Sequence, residues 1–322
     1  MKAVLSEEFG LDALELGDVE KPDLEDHQVL VRVHASSVNP TEWYRVTGPY
    51  FVRMFGAGLR RPKNPVVGGD LAGTVELVGP DVEEFQPGDE VFGTTLGAWA
   101  EYAPAREPRL AHKPANVSFE EAAAVPIAAT TALQALRDHG HVQPGQNVLI
   151  NGASGGVGTF AIQIAKSFGA KVTGVCSTGN VDLARSLGAD HVVDYAREDF
   201  LRRGERYDLL VDIAGSRSFR ELMRVLTPEA TVVVVGARFP SNKALGPLSH
   251  VIATRLAAVG RSQKVKFFIA QITKEDLVVL RELLESGRLK PVIDRRYQLT
   301  ETADALRYLG EGHARGKIVL TV

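Results

Sequence analysis

The residues whose types and spacing point most directly to chemistry lie at positions 147–158, NVLINGASGGVG. Residues 146–150 read as a buried strand and a glycine-rich turn follows at once. Residues 159–168 then show helical spacing, with Phe160, Ile164 and Phe168 on one face. A glycine-rich turn between a strand and a helix is a seat for phosphate. Gly155 and Gly156 let a pyrophosphate approach the backbone because no Cβ stands in the way, and the helix start offers N–H groups and a positive dipole end. Ser154, Gly155, Gly156 and Val157 are therefore candidate cofactor-binding residues, and Gly158 lets the helix lie close to the strand. The first glycine of the G-x-G-x-x-G pattern is Ala153 here, and an ordinary tight turn shares the same local features.

A dinucleotide also draws on the carboxyl ends of neighbouring strands. Residues 171–176 read as the second strand, and its end carries Ser177-Thr178-Gly179-Asn180 instead of the carboxylate that holds both ribose hydroxyls of NAD. Ser177 and Asn180 are candidates to hydrogen-bond a 2′-phosphate, so NADP(H) is preferred over NAD(H). Residues 207–215 and 231–236 are further buried strands, which put Ala214, Gly236 and Ala237 at the edge of the cofactor cleft. Apolar strands alternating with helices through this region predict an α/β fold with a doubly wound parallel sheet.

The rest of the chain must position these groups. In residues 29–35, VLVRVHA, alternation places Val29, Val31 and Val33 on one face, and short strands with frequent turns over the first third predict a compact, partly barrel-like β domain. Ser118 with Glu121 has capping-box spacing ahead of a helix of small residues. Residues 251–259 read as a last strand-and-turn region, 274–287 as an amphipathic helix and 301–309 as another. A length of 322 residues suits about two domains. A net charge of -3 leaves no electrostatic footprint for nucleic acid or an anionic membrane. No apolar run is long enough for a membrane span, and the start does not read as a signal peptide, so a cytoplasmic location is expected. The single cysteine, Cys176, excludes an internal disulfide and a multi-cysteine zinc site.

Residues 69–75, GDLAGTV, followed by 85–91, FQPGDEV, resemble the N-terminal domain of the medium-chain dehydrogenases/reductases, and 37–42, SVNPTE, resembles the zinc-independent quinone oxidoreductase branch. The likeness runs the full length. It implies a GroES-like catalytic domain over 1–122 and 262–322, a Rossmann dinucleotide-binding domain over 123–261, and a homodimer. In the zinc alcohol dehydrogenases a cysteine ligand stands at the position of Asn39, and Gly-His-Glu stands where this chain has Gly68-Gly69-Asp70. A catalytic zinc needs three protein ligands and an open position, and eight histidines without paired ligand spacing do not restore them, so no zinc is expected.

The same resemblance implies direct hydride transfer to a small-molecule electron acceptor, a quinone or an α,β-unsaturated carbonyl. Asn39, Thr41 and Tyr50 are the implied catalytic residues: an amide that donates and accepts, a hydroxyl near the nicotinamide, and a proton or hydrogen-bond source. Glu42 reads as structural, buried and paired. Thr130 matches a threonine at the nicotinamide end, Tyr195 a tyrosine against the adenosine, and Phe267 and Phe268 a segment beside the nicotinamide. Arg315 and Lys317 are placed to approach a cofactor phosphate, and surface charge is the plain alternative for both. Residues 51–64 read as a candidate lid in which Phe51, Met54 and Phe55 would shape an apolar site. Two other classes stay open: a zinc-type alcohol dehydrogenase, and a low-activity NADPH-binding sensor or partner protein.

Overall fold

A computed structural model describes residues 1–49, 52–53, 58–236 and 248–322. They form two compact units, Met1–Thr130 with Gln271–Val322, and Thr131–Ala270. In chain order the first unit begins with β1 (Lys2–Ser6), β2 (Leu14–Asp18), β3 (Gln28–Val38), α1 (Pro40–Thr47), β4 (Asp70–Val78), β5 (Glu90–Thr94), β6 (Tyr102–Arg106), β7 (Leu110–His112) and α2 (Phe119–Ala123). The division between units falls within α3 (Pro126–Gln134). The second unit runs through β8 (Asn147–Asn151), α4 (Gly156–Ser167), β9 (Lys171–Cys176), α5 (Val181–Ser186), β10 (His191–Asp194), β11 (Tyr207–Asp212), α6 (Phe219–Leu222), β12 (Leu226–Val234), α7 (Leu248–Ala258) and β13 (Lys264–Phe267). The chain then re-enters the first unit with α8 (Lys274–Glu285), β14 (Ile293–Gln298), α9 (Thr302–Gly310) and β15 (Lys317–Thr321).

The first unit is built on a seven-stranded sheet, ordered β14-β15-β3-β4-β5-β7, with β6 also pairing β3. The alternation along β3 does its expected work. Val29, Val31 and Val33 are buried against Leu71, Val75, Phe85 and Val91, while Arg32 is exposed. At the other end of β3, Val38 joins Trp99, Leu306, Ile318 and Leu320 in a second core. The capping box at Ser118 is present: Ser118 Oγ accepts from Glu121 N at 3.2 Å, and Glu121 returns the bond to Ser118 N at 2.8 Å.

The second unit holds a six-stranded, all-parallel sheet ordered β10-β9-β8-β11-β12-β13. The order reverses direction between β8 and β11, as in a doubly wound fold. Leu149, Leu210, Val232 and Val234 face Phe219 and Val251 in its core. Two features differ from the sequence reading. Residues 248–258 are a helix rather than a strand, with Val251 and Thr254 buried. β13 pairs with β12, so residues assigned by sequence to the returning catalytic segment complete the parallel sheet instead.

The junction of β8 and α4 is the tightest point of this unit. A Cβ added at Gly158 would overlap the Gly152 carbonyl oxygen and stand 2.7 Å from the Ala153 carbonyl carbon. Only a residue without a side chain lets α4 start where it does. Gly158→Ala is expected to destabilise the protein by about 2–3 kcal/mol, as forced overpacking does. Urea unfolding followed by far-ultraviolet circular dichroism checks this, and an unchanged midpoint would show that the turn relaxes freely.

Candidate functional site

In the second unit, α4 begins directly after the glycine turn, with Gly155 at its N-cap, no side chain capping it and no acidic residue in its first turn. Gly155 is in an extended conformation, and its missing Cβ would meet nothing nearer than the Gly152 carbonyl at 3.8 Å. Neither backbone conformation nor internal packing demands glycine there, unlike at Gly158. The space suits an anion against the helix start, so the turn fits the pyrophosphate of a dinucleotide. Ser154, Gly156 and Val157 are half-buried around it.

The end of β9 lies beside the turn. Asn180 is 7% exposed, and its Nδ2 donates to Ser154 Oγ at 3.1 Å and to Ser177 Oγ at 3.0 Å. The structure thus joins three of the sequence-derived candidates in one hydrogen-bonded group. Tyr195 directly follows β10, its ring 61% exposed and its backbone N–H held by the Cys176 carbonyl at 3.0 Å. Ala214 lies next to the turn, with its nitrogen 3.2 Å from where a Cβ of Gly152 would stand. Gly236 donates its N–H to the Asp212 carbonyl at 3.2 Å, and a Cβ there would overlap the Ile213 carbonyl. Ala237 lies outside the described residues. Phe267 packs against the sheet core, and Phe268 stacks on His139 with centroids 4.2 Å apart.

A polar group absent from the sequence reading closes β8 and β11. Asp212 is fully buried and accepts from Asn151 Nδ2 at 2.7 Å and Gly215 N at 3.0 Å, and His250 Nε2 lies 3.1 Å from its other oxygen. It fastens α7 to the carboxyl end of β11, a central strand of the sheet. Nothing in the local sequence links positions 212 and 250.

In the first unit the residues around Asn39 form a buried cluster centred on Asp70, which is 0% exposed. Asp70 Oδ2 accepts from Ser37 Oγ at 2.5 Å and from Asn39 Nδ2 at 2.9 Å, and Oδ1 accepts from Ile127 N at 2.9 Å. Lys317, 3% exposed, places its ammonium 3.6 Å from Asp70 and donates to Asn39 Oδ1 and to the Val38 carbonyl. Both ends of the Asn39 amide are therefore engaged by protein. Lys317 is enclosed with its partners, a placement that does not match the expected approach to a phosphate. Arg315 is exposed, with its backbone N–H on Asp294 at 2.9 Å. Thr41 is exposed on the first turn of α1. Thr130 is fully buried, and its Oγ1 has no hydrogen-bond partner among the described residues. Tyr50 lies outside the described residues, as do Phe51, Met54 and Phe55 of the candidate lid.

Glu42, at the third position of α1, is 2% exposed and accepts from Asn39 N at 2.8 Å. Burial and the neighbouring Asp70 carboxylate push its pKa from 4.5 up to about 7, against the pull of Lys317. Burial draws the Lys317 ammonium down, with Asp70 and Glu42 opposing. Among the described residues no three His, Cys, Asp or Glu side chains converge as a metal-binding group.

The raised Glu42 value has a direct consequence for stability. The native state holds this proton more tightly than the unfolded chain, so the contribution is full below pH 4.5 and is lost as pH rises through about 7. The loss is on the order of 3 kcal/mol. Glu42→Gln keeps an acceptor for the Asn39 N–H and cannot ionise. Relative to the parent, the variant gains stability in urea unfolding between about pH 5 and about pH 8; parallel pH profiles would exclude Glu42 as the titrating group.

Comparison with known proteins agrees with this geometry. Residues 25–115 match the model of the alcohol dehydrogenase GroES-like domain, and residues 187–320 match that of the zinc-binding dehydrogenases. The chain is 34% identical over 337 residues to a 2-methylene-furan-3-one reductase of Solanum lycopersicum, covering 99% of this chain and 79% of that one. It is 32% identical over 341 residues to a chloroplastic NADPH-dependent alkenal/one oxidoreductase of Arabidopsis thaliana, covering 99% and 79%. The quinone oxidoreductase of Coxiella burnetii superposes with a TM-score of 0.86 at 30% identity, over 100% of this chain and 99% of that one. An α/β protein with a GroES-like unit, a parallel Rossmann-type sheet and these relatives, the chain belongs to the medium-chain dehydrogenase/reductase superfamily as a quinone oxidoreductase-like oxidoreductase.

Proposed function

We propose that the protein is a zinc-independent, NADP(H)-dependent reductase of quinones or α,β-unsaturated carbonyls. The observation that carries this reading is the Asp70 cluster. Where zinc-dependent relatives of this fold would place metal ligands, the chain has an amide, a glycine and a buried carboxylate already neutralised by Lys317. A fixed ammonium beside the carboxylate repels a second cation, and the donors left do not make a zinc site. The relatives named as a furan-3-one reductase and an alkenal/one oxidoreductase support an enone as acceptor, and the Coxiella protein supports a quinone.

A bound reduced nicotinamide nucleotide supplies the hydride. The chain supplies orientation and charge stabilisation. The turn at Ser154–Val157 and the start of α4 hold the pyrophosphate. Negative charge develops on the acceptor oxygen as hydride arrives. Thr41 has an exposed hydroxyl to meet that charge, whereas Asn39 acts by fixing the start of α1. A quinone that has taken up the hydride needs one proton on oxygen, which solvent supplies. A reduced enone needs one proton at carbon, for which Tyr50 or a water is the source.

We also propose a homodimer formed through the second unit. β13 is the outer strand of the parallel sheet, and Ile252 and Leu256 of α7 are 50% and 69% exposed. An edge strand with unpaired backbone groups beside exposed apolar side chains is complementary to a second copy of itself. Sedimentation equilibrium is expected to give twice the chain mass, and the monomer mass would overturn this assembly.

The first test of the reaction follows NADPH and NADH oxidation against a panel of small quinones and enones, with and without a chelator. Turnover with NADPH that ignores the chelator is expected. Chelator-sensitive turnover with about one zinc per chain would revive the alcohol dehydrogenase class. NADPH binding without reduction of any acceptor would favour a sensor.

A further inference from the structure

We propose that Asn180 is a positioning residue that sets the hydrogen-bond polarity of the adenosine-ribose site, so that the site selects the 2′-phosphate with neutral donors. The inference rests on the nucleotide-binding reading above and deepens it.

Asn180 stands at the N-cap of α5, where asparagine ordinarily accepts from a backbone N–H of the first turn. Here its side chain makes no cap bond. It turns instead to the serines and gives its two amide hydrogens to Ser154 Oγ and Ser177 Oγ. Its own Oδ1 is buried without a partner among the described residues. A cap bond is forgone and a buried acceptor is left empty, both at a cost to the fold, to hold two hydroxyl groups.

The result is directional. A hydroxyl oxygen that accepts from an amide turns its hydrogen elsewhere. No bond from either serine hydroxyl to an acceptor exists among the described residues, so both hydrogens are free for a ligand oxygen. Two O–H donors suit a phosphate, which only accepts when fully ionised. They suit a ribose 2′-hydroxyl less, since its uncharged oxygen accepts more weakly than a phosphate oxygen and it brings a hydrogen of its own. Neither neighbouring position adds a free cation: position 179 is glycine, and Arg185 is 63% exposed and paired with Asp182 at 3.4 Å. Selectivity at this site is thus carried by the orientation of two hydroxyls.

The test is calorimetric binding of adenosine 2′,5′-bisphosphate and of 5′-AMP to the full chain, alongside KM and kcat for NADPH and NADH. The parent protein is expected to favour the bisphosphate. Asn180→Leu removes the orienting amide without adding charge, and is expected to cut the ratio of bisphosphate to 5′-AMP affinity about tenfold. Asn180→Asp accepts from both hydroxyls, reverses their polarity and is expected to favour 5′-AMP and NADH. A purely structural role for Asn180 would weaken both ligands alike, and that result overturns the inference, as does an unchanged preference in both variants. If the parent binds neither ligand nor either nicotinamide nucleotide, the nucleotide-binding reading itself fails and takes the inference with it.

Discussion

The first unit depends on the Asp70 carboxylate. It is wholly buried and receives hydrogen bonds from the end of β3, from the residue beyond it and from the first turn of α3, while the ammonium at the start of β15 lies beside it. Three segments far apart in the chain, around residues 37–39, 127 and 317, meet on one side chain. A carboxylate removed from water is tolerable only when its oxygens are satisfied and its charge is matched, and here both hold. The corollary is that such a pair is weak evidence for stability in itself but strong evidence for register, because removing either partner strands the other charge. In the observed register, Ile318 of β15 lies opposite Val38 of β3, and Lys317 reaches Asp70.

That constraint shapes the chemistry available around it. The Asn39 amide would be a natural donor to a substrate oxygen, but Lys317 and Asp70 take both of its ends. What the cluster gives the site is a fixed start for α1, with Thr41 on its outer surface. Glu42 adds a second carboxyl to an environment with one cation, and the outcome is a group that ionises near neutrality instead of far below it. In the second unit Asp212 repeats the theme: a buried carboxylate gathers Asn151, the Gly215 amide and His250 at the reversal point of the sheet.

The legible parts of the molecule were those written in local spacing. The strand, glycine turn and helix at 147–167 follow from residue types within a few positions of one another, and so do the capping box at Ser118 and the alternation along β3. Residues 251–259 were misread as strand because their apolar residues do not keep to one face. Val251 is buried, yet Ile252 and Leu256 of the same helix are exposed, so the helical period is blurred. Lys317 carried no local sign of its burial: its partners sit at the other end of the chain, and a lysine after a glycine turn reads equally well as a phosphate ligand. The direction of the Asn180 side chain has no local sign either, since the bonds it makes reach back to Ser154.

The full burial of Trp99 has an optical consequence. Its indole is 0% exposed and donates to the Ser37 carbonyl at 3.3 Å, and the other tryptophan, Trp43, lies on α1. Both belong to the first unit, and residues 131–270 contain neither. Tryptophan emission therefore views only the β-rich half of this protein. The parallel sheet that holds the glycine turn is dark at those wavelengths, and loss of structure there can proceed unseen by a fluorimeter set on indole.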